Sequence, residues 1–263
     1  MTKFRLSRKA LCIPYAVFLL FFVIAPMLII VFYAFTDKNN HITFRNFLDF
    51  FSDPTKLTTI VYSIVIALIT TVVCLLIAFP VSYILARSNI KRKSVILLLF
   101  VTPMWINFVL RINAIRELMN WIGLLGGPNY FNTVFGMVYD FLPFMILPLY
   151  TQISKIDKSL YEACSDLGGN AFTSFFRVTL PLSMPGVLSG VTMVFLPSMT
   201  NYVVSDMLGN SKVTIIGKFI ELYFGTNQHM GSMVALILLI VVLVSSFFAG
   251  GFKEETNTGR TAL

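Results

Sequence analysis

The sequence predicts an all-α polytopic membrane protein with six transmembrane helices. Two features of its composition point there: 57% of the 263 residues are hydrophobic and only 12% are charged. The third is the arrangement of the apolar residues, which fall in long runs. A helix needs ~20 mostly apolar residues to cross the hydrocarbon core, because each adds ~1.5 Å. A water-soluble domain of this length carries far more charged surface.

Six segments meet the length requirement: Leu11–Phe35, Thr59–Ala86, Ser94–Asn113, Phe131–Gln152, Met184–Val204 and Gly231–Gly250. The first follows Lys3, Arg5, Arg8 and Lys9, as the core of a signal peptide does. Its apolar run is too long for that, and no small-x-small cleavage signal follows, so it reads as a retained span. Thirteen of the twenty basic residues fall on one side of a six-span arrangement: Lys3, Arg5, Arg8, Lys9, Arg87, Lys91, Arg92, Lys93, Lys155, Lys158, Arg177, Lys253 and Arg260. The excess sits in the short loops, where it sets topology most strongly, so both termini are expected in the cytoplasm. Asp37–Thr58 is then an external loop. Ile115–Leu125 reads as a short external helix with Ile115, Leu118, Met119, Ile122 and Leu125 on one face, ended by Gly126-Gly127-Pro128. No repeat, low-complexity stretch or long linker divides the chain. It is expected to be one transmembrane domain over residues 1–263, with a core of about 59–250.

The net charge of +8 follows membrane topology and not a nucleic-acid face, since the basic residues lie between apolar runs. Cys12, Cys74 and Cys164 show no pairing framework or metal spacing, and His41 and His229 have no second ligand nearby. Nor is there a serine–histidine, paired-aspartate or metal arrangement of the kind an intramembrane enzyme needs. Pro26, Pro80, Pro103, Pro143, Pro148 and Pro197 fall inside apolar runs. Such prolines either set packing kinks or, at Pro103 and Pro197, break helices that line a path.

The most informative segment is the long cytoplasmic connection, residues 152–185. Ser159 and Glu162 have capping-box spacing, and Leu160, Ala163, Cys164 and Leu167 share one face. Gly168-Gly169-Asn170 breaks that helix. A second short helix, about Ala171–Arg177, offers Phe172, Phe175 and Phe176; Leu180-Pro181 stops it, and Met184-Pro185-Gly186 opens the next span. The expected product is a helix-turn-helix knob that presents aromatic rings and a carboxylate to the cytoplasm. Its alternative is an amphipathic helix resting on lipid, which the scarcity of flanking basic residues disfavours.

The run Glu162-Ala163-Cys164-Ser165-Asp166-Leu167-Gly168, with Phe176-Arg177-Val178, Leu180-Pro181 and Pro185-Gly186, resembles the EAA-loop signature of permeases in binding-protein-dependent ABC importers. Cys164 departs from it, standing where the motif usually has a second alanine. The resemblance implies the type I ABC importer permease fold in the bacterial cytoplasmic (inner) membrane. It also implies that Glu162, Ala163, Asp166, Gly168, Gly169 and Phe172 dock a cytoplasmic ATPase. This chain has no Walker A pattern, so ATP and Mg belong to a separate ATPase chain and this chain is expected to bind no cofactor. Members of the superfamily work as two similar permease subunits with two ATPase copies and an extracytoplasmic binding protein.

Over nearly the whole chain the sequence looks like the spermidine/putrescine permeases. The passages concerned are Pro103-Met104-Trp105-Ile106-Asn107 with Leu110-Arg111-Ile112, Leu142-Pro143-Phe144 with Leu147-Pro148-Leu149-Tyr150, and Leu196-Pro197-Ser198-Met199-Thr200 with Val204-Ser205-Asp206. A polyamine path needs carboxylates, carbonyls and aromatic faces. Its candidates are Trp105, Asn107, Asp140, Tyr202 and Asp206, of which Trp105, Tyr202 and Asp206 are expected to meet the cation first. Trp105 also reads as an interfacial anchor, and Asp206 as a solvated loop residue. Asp140, near the middle of the fourth span, either faces a wet cavity, pairs with a residue such as Arg111, or stays protonated. Gly186 and Gly190 read as a small-xxx-small packing pair. The alternatives in function are an importer of an amino acid, an inorganic anion or iron, and a non-transport membrane scaffold.

Overall fold

The computed structural model describes residues 13–39, 41–88, 90–126, 129–209 and 213–258. Cys12, Gly127, Pro128, Arg260 and the basic residues before the first span lie outside them, as do the side chains beyond Val244. The described helices, in chain order, are α1 (Ile13–Ala34, with a π turn at Leu20–Ile24), α2 (Arg45–Phe51), α3 (Pro54–Arg87), α4 (Lys93–Val101), α5 (Phe108–Trp121), α6 (Asn129–Ile153), α7 (Lys158–Asp166), α8 (Ala171–Thr200), α9 (Tyr202–Leu208), α10 (Ile216–Thr226) and α11 (Gln228–Thr258). Among the described residues, α1, α3, α6 and α8 are long and apolar enough to cross a membrane. In α11 the apolar part of the described residues is Gln228–Val244.

The expected third span, Ser94–Asn113, is not one helix. Beyond α4 the chain tightens into a 3-10 turn at Thr102–Trp105, and α5 leaves at 99° to the incoming segment. Pro103 lies within that turn, and Ile106 is extended. The Asn107 side chain then accepts from the amides of Val109 (3.0 Å) and Leu110 (3.4 Å), starting a new helix. The separate external helix expected at Ile115–Leu125 does not form: residues up to Trp121 belong to α5, which ends there ahead of Gly123 at φ +72°. Its buried stripe is Arg111, Ile112, Ile115 and Met119, while Leu118 and Ile122 stay exposed. The segment Asp37–Thr58, expected to be an external loop, contains α2 and the start of α3.

Contacts divide the described residues into two compact units. The smaller joins residues 13–57 to 219–241. In it Asn46 donates to the carbonyls of Ala34 (3.1 Å) and Thr36 (3.0 Å), and Phe50 meets Phe219 edge-on. The His229 ring stands edge-on to Tyr33. The larger unit, built on 58–218, holds the core around Cys74, Met137, Met145, Ile146 and Leu149. There α6 and α8 pack closely because of two glycines. A Cβ on Gly186 would lie 2.9 Å from the Pro148 carbonyl oxygen, and one on Gly190 would lie 2.5 Å from Met145 Sδ. From α3, Ser82 donates to the Ile146 carbonyl (3.2 Å).

Candidate functional site

Two features of the larger unit could carry function: the knob between α6 and α8, and a charged cavity beside the broken helices.

The knob is built from local signals. Asp157, not Ser159, caps α7: its carboxylate accepts from the Ser159 amide at 3.0 Å. Ser159 sits inside the first turn, too late to cap it, so the capping box does not form. The Ser159 amide and hydroxyl hold the Asp157 carboxyl below the usual carboxylate range. At the far end Gly168 takes φ +79°. Its amide donates to the Ser165 carbonyl and that of Gly169 to the Cys164 carbonyl, both at 2.9 Å, which is the double bond pattern of a Schellman turn. Gly169 is required for a different reason, since a Cβ there would sit 2.7 Å from the Cys164 carbonyl oxygen. Asn170 then caps α8 by accepting from the Thr173 amide at 2.8 Å. Each side-chain cap contributes about 1 kcal/mol.

Helix α8 does not stop at Pro181. It runs on to Thr200 through a π turn at Phe175–Thr179, in which the Leu180 amide reaches the Phe175 carbonyl. The widened turn relieves the clash between the Pro181 ring and the carbonyl one turn back, so the expected break is absent. The knob is thus continuous with a membrane-length helix. It is also fastened to α3. The Arg87 guanidinium lies 3.5 Å from the Tyr161 ring centre, the Tyr161 hydroxyl meets Thr179 Oγ1 at 3.0 Å, and Phe79 and Tyr83 both stand edge-on to Phe175. Only Tyr161 of α7 is buried. Glu162, Ala163, Asp166 and Gly168 are exposed, as are Leu167 (89%) and Phe172 (71%). The apolar face read from the sequence therefore points outward in large part, with carboxylates beside it, while Cys164 is half-buried and accepts from Ser174 Oγ at 3.3 Å.

The cavity holds about 400 Å³ and is lined by Met104, Arg111, Asp140, Phe144, Pro197 and Thr200 among others. Asp140 (3% exposed) forms an ion pair with Arg111 (8% exposed) and also lines the cavity. Arg111 also donates to the Pro103 carbonyl at 2.6 Å, tying the break of the third apolar segment to the middle of α6. An unpaired ionic group at that depth costs at least ~2.5 kcal/mol on insertion scales, so each of the two charges needs the other.

The remaining candidates separate into two groups. Trp105 is 84% exposed, and Asn107 serves as the α5 cap; neither lines the cavity. Tyr202 and Asp206 lie on α9, which begins after a second break at Asn201, four residues past Pro197. Both face Lys218, whose Nζ is 2.8 Å from the Asp206 carboxylate and 5.3 Å from the Tyr202 ring centre. Sequence reading named Arg111 only as a possible partner of Asp140, not as a cavity-lining residue, and missed Lys218 altogether. Neither belongs to a motif that marks it: Arg111 shares its helix with Arg116, and Lys218 stands in the mostly apolar start of α10.

Broken apolar helices around a charged cavity, joined to a rigid exposed knob, are the parts of a membrane transport subunit. The family model described as binding-protein-dependent transport system inner membrane component matches residues 78–252, and the chain belongs to that family. It is 35% identical over 252 residues to the spermidine/putrescine transport system permease protein PotB of Haemophilus influenzae, covering 87% of this chain and 88% of that protein. To the protein of the same description in Escherichia coli it is 33% identical over 207 residues, covering 72% and 75%. A chain of the bacterial alginate ABC transporter, solved with an alginate pentasaccharide-bound periplasmic protein, shares the fold with a TM-score of 0.75 at 16% identity, covering 94% of each chain.

Proposed function

We propose that this chain is one of two similar permease subunits in an ATP-driven importer of linear polyamines of the spermidine and putrescine type. The observation that carries the substrate class is the likeness to spermidine/putrescine permeases along most of both chains. It is supported by two carboxylates beside the broken helices, Asp140 and Asp206, each paired with a basic side chain. In this reading six crossings place both termini in the cytoplasm of a bacterial cell with the knob on that side. Glu162, Ala163, Asp166, Leu167 and Phe172 enter a cleft of a separate cytoplasmic ATPase, present in two copies, which holds ATP and Mg. An extracytoplasmic binding protein delivers the amine to the opposite face. The membrane potential favours cation entry by ~2.3 kcal/mol per charge per 100 mV, so ATP is needed for direction and steep accumulation.

The test is the charge dependence of uptake. Asp206→Asn removes an attraction that scales with substrate charge, so uptake of a triamine is expected to fall by ~10-fold and that of a diamine by less. Assembly with the ATPase should stay normal, because Asp206 is remote in sequence and structure from the knob. Equal uptake of both amines by the variant and the parent would remove the cation path from this reading.

A further inference from the structure

We infer that Lys218 is a built-in occupant of a primary-ammonium subsite, and that the substrate's ammonium takes its place during transport. The site consists of the Asp206 carboxylate and the face of Tyr202, with Lys218 Nζ at 2.8 Å from the first and 5.3 Å from the centre of the second. A carboxylate beside an aromatic face is a general recipe for binding an alkylammonium. The lysine side chain ends in the same group as a linear polyamine, an ammonium on an alkyl stem, so whatever geometry suits the one suits the other.

Three observations set this pair apart from an ordinary surface bridge. First, each charge is badly placed for its own helix. Lys218 sits in the first turn of α10, where the helix dipole disfavours a cation, and Asp206 sits in the last turn of α9, where it disfavours an anion. Neither residue is placed to favour the dipole of the helix that carries it. Second, the approach is fixed by backbone. A Cβ on Gly217 would lie 2.0 Å from the Thr200 carbonyl oxygen, so only glycine lets the start of α10 come this close to the break before α9. Lys218, the next residue, is thereby held over the site. Third, the site is reachable: the side chains of Lys218 and Asp206 are 25% and 29% exposed, and Thr200 and Asn201, just ahead of Tyr202, line the charged cavity. An incoming ammonium can therefore exchange with Nζ close in the chain to Thr200 and Asn201, which line the cavity that holds Asp140. The lysine keeps the carboxylate neutralised when no amine is present and gives a competing cation that any substrate must displace.

This inference rests on the polyamine reading, and the experiment separates the two. Uptake of radiolabelled putrescine and spermidine is measured over a concentration series in proteoliposomes containing the whole assembly. Lys218→Met is expected to lower KM for both amines about fivefold, because the competitor is gone while Asp206 and Tyr202 remain. In an Asp206→Asn background the same substitution should leave KM unchanged. Lys218→Arg keeps a cation at the site and grips the carboxylate through two N–H groups, so KM should rise while assembly stays intact; this variant decides the matter if Lys218→Met fails to assemble. A KM that does not fall in an assembled Lys218→Met protein, or falls equally without Asp206, makes the pair a structural bridge and overturns the inference. So does an unchanged KM in Lys218→Arg. Absence of amine uptake by the parent assembly would instead refute the polyamine reading.

Discussion

Replacing Gly168 by valine is expected to abolish most uptake while leaving basal ATP hydrolysis by the assembled complex in place. Gly168 holds φ +79°, and a Cβ built there meets nothing within 4 Å. The substitution therefore tests backbone conformation without a packing clash. A β-branched residue in the left-handed region costs of order 1–3 kcal/mol, enough to undo the Schellman turn that sets the angle between α7 and α8. Because α8 continues unbroken from the knob to Thr200, a change in that angle disconnects whatever binds the knob from the membrane-length helix. Gly168→Asn is the matched control, since asparagine tolerates the left-handed conformation, and it should retain most uptake. Uptake and phosphate release, measured on the same proteoliposomes, report coupling directly. Normal uptake by Gly168→Val at normal expression would count against the knob as the coupling element.

The second large effect is expected at the buried ion pair. Asp140→Ala leaves the Arg111 guanidinium buried beside α6 with the Pro103 carbonyl and the more distant Tyr139 ring as partners but no counter-charge from Asp140. Breaking a buried pair from one side costs about 3–5 kcal/mol, so the single variant should lose most of its folded yield in detergent and melt well below the parent. Removing both charges with Asp140→Leu and Arg111→Met should recover much of that stability, because two apolar groups make no demand for a partner. Monodispersity and thermal denaturation of the purified proteins check both statements. An Asp140→Ala protein as stable as its parent would mean that the pair contributes little to folding.

Much of the architecture was legible because the physics behind it is local or additive. Summed apolar length located α1, α3, α6 and α8, and the Gly168-Gly169-Asn170 run marked the turn of the knob. The break after α4 was hidden because hydropathy summed over a span cannot register a 99° bend. Its local signal was present in Asn107, whose side chain caps α5 but was read as a path group. A similar shift occurred at Asp157, a better cap than Ser159 two residues later. Pro181 misled in the opposite direction. It reads as a helix stop, yet the π turn ahead of it absorbs the proline and the helix continues. The pairing of Lys218 with Asp206, across two helices, has no periodic signature and emerges only once Gly217 packs on Thr200.

The most direct measurement is phosphate release from ATP by the purified chain alone and by the chain assembled with its partner permease and ATPase, with and without an amine-loaded binding protein. The account predicts no release by the chain alone, and release by the assembly that rises when the loaded binding protein is added. Hydrolysis by the chain alone, with contaminating ATPases excluded, would contradict it, as would hydrolysis by the assembly that ignores the loaded binding protein.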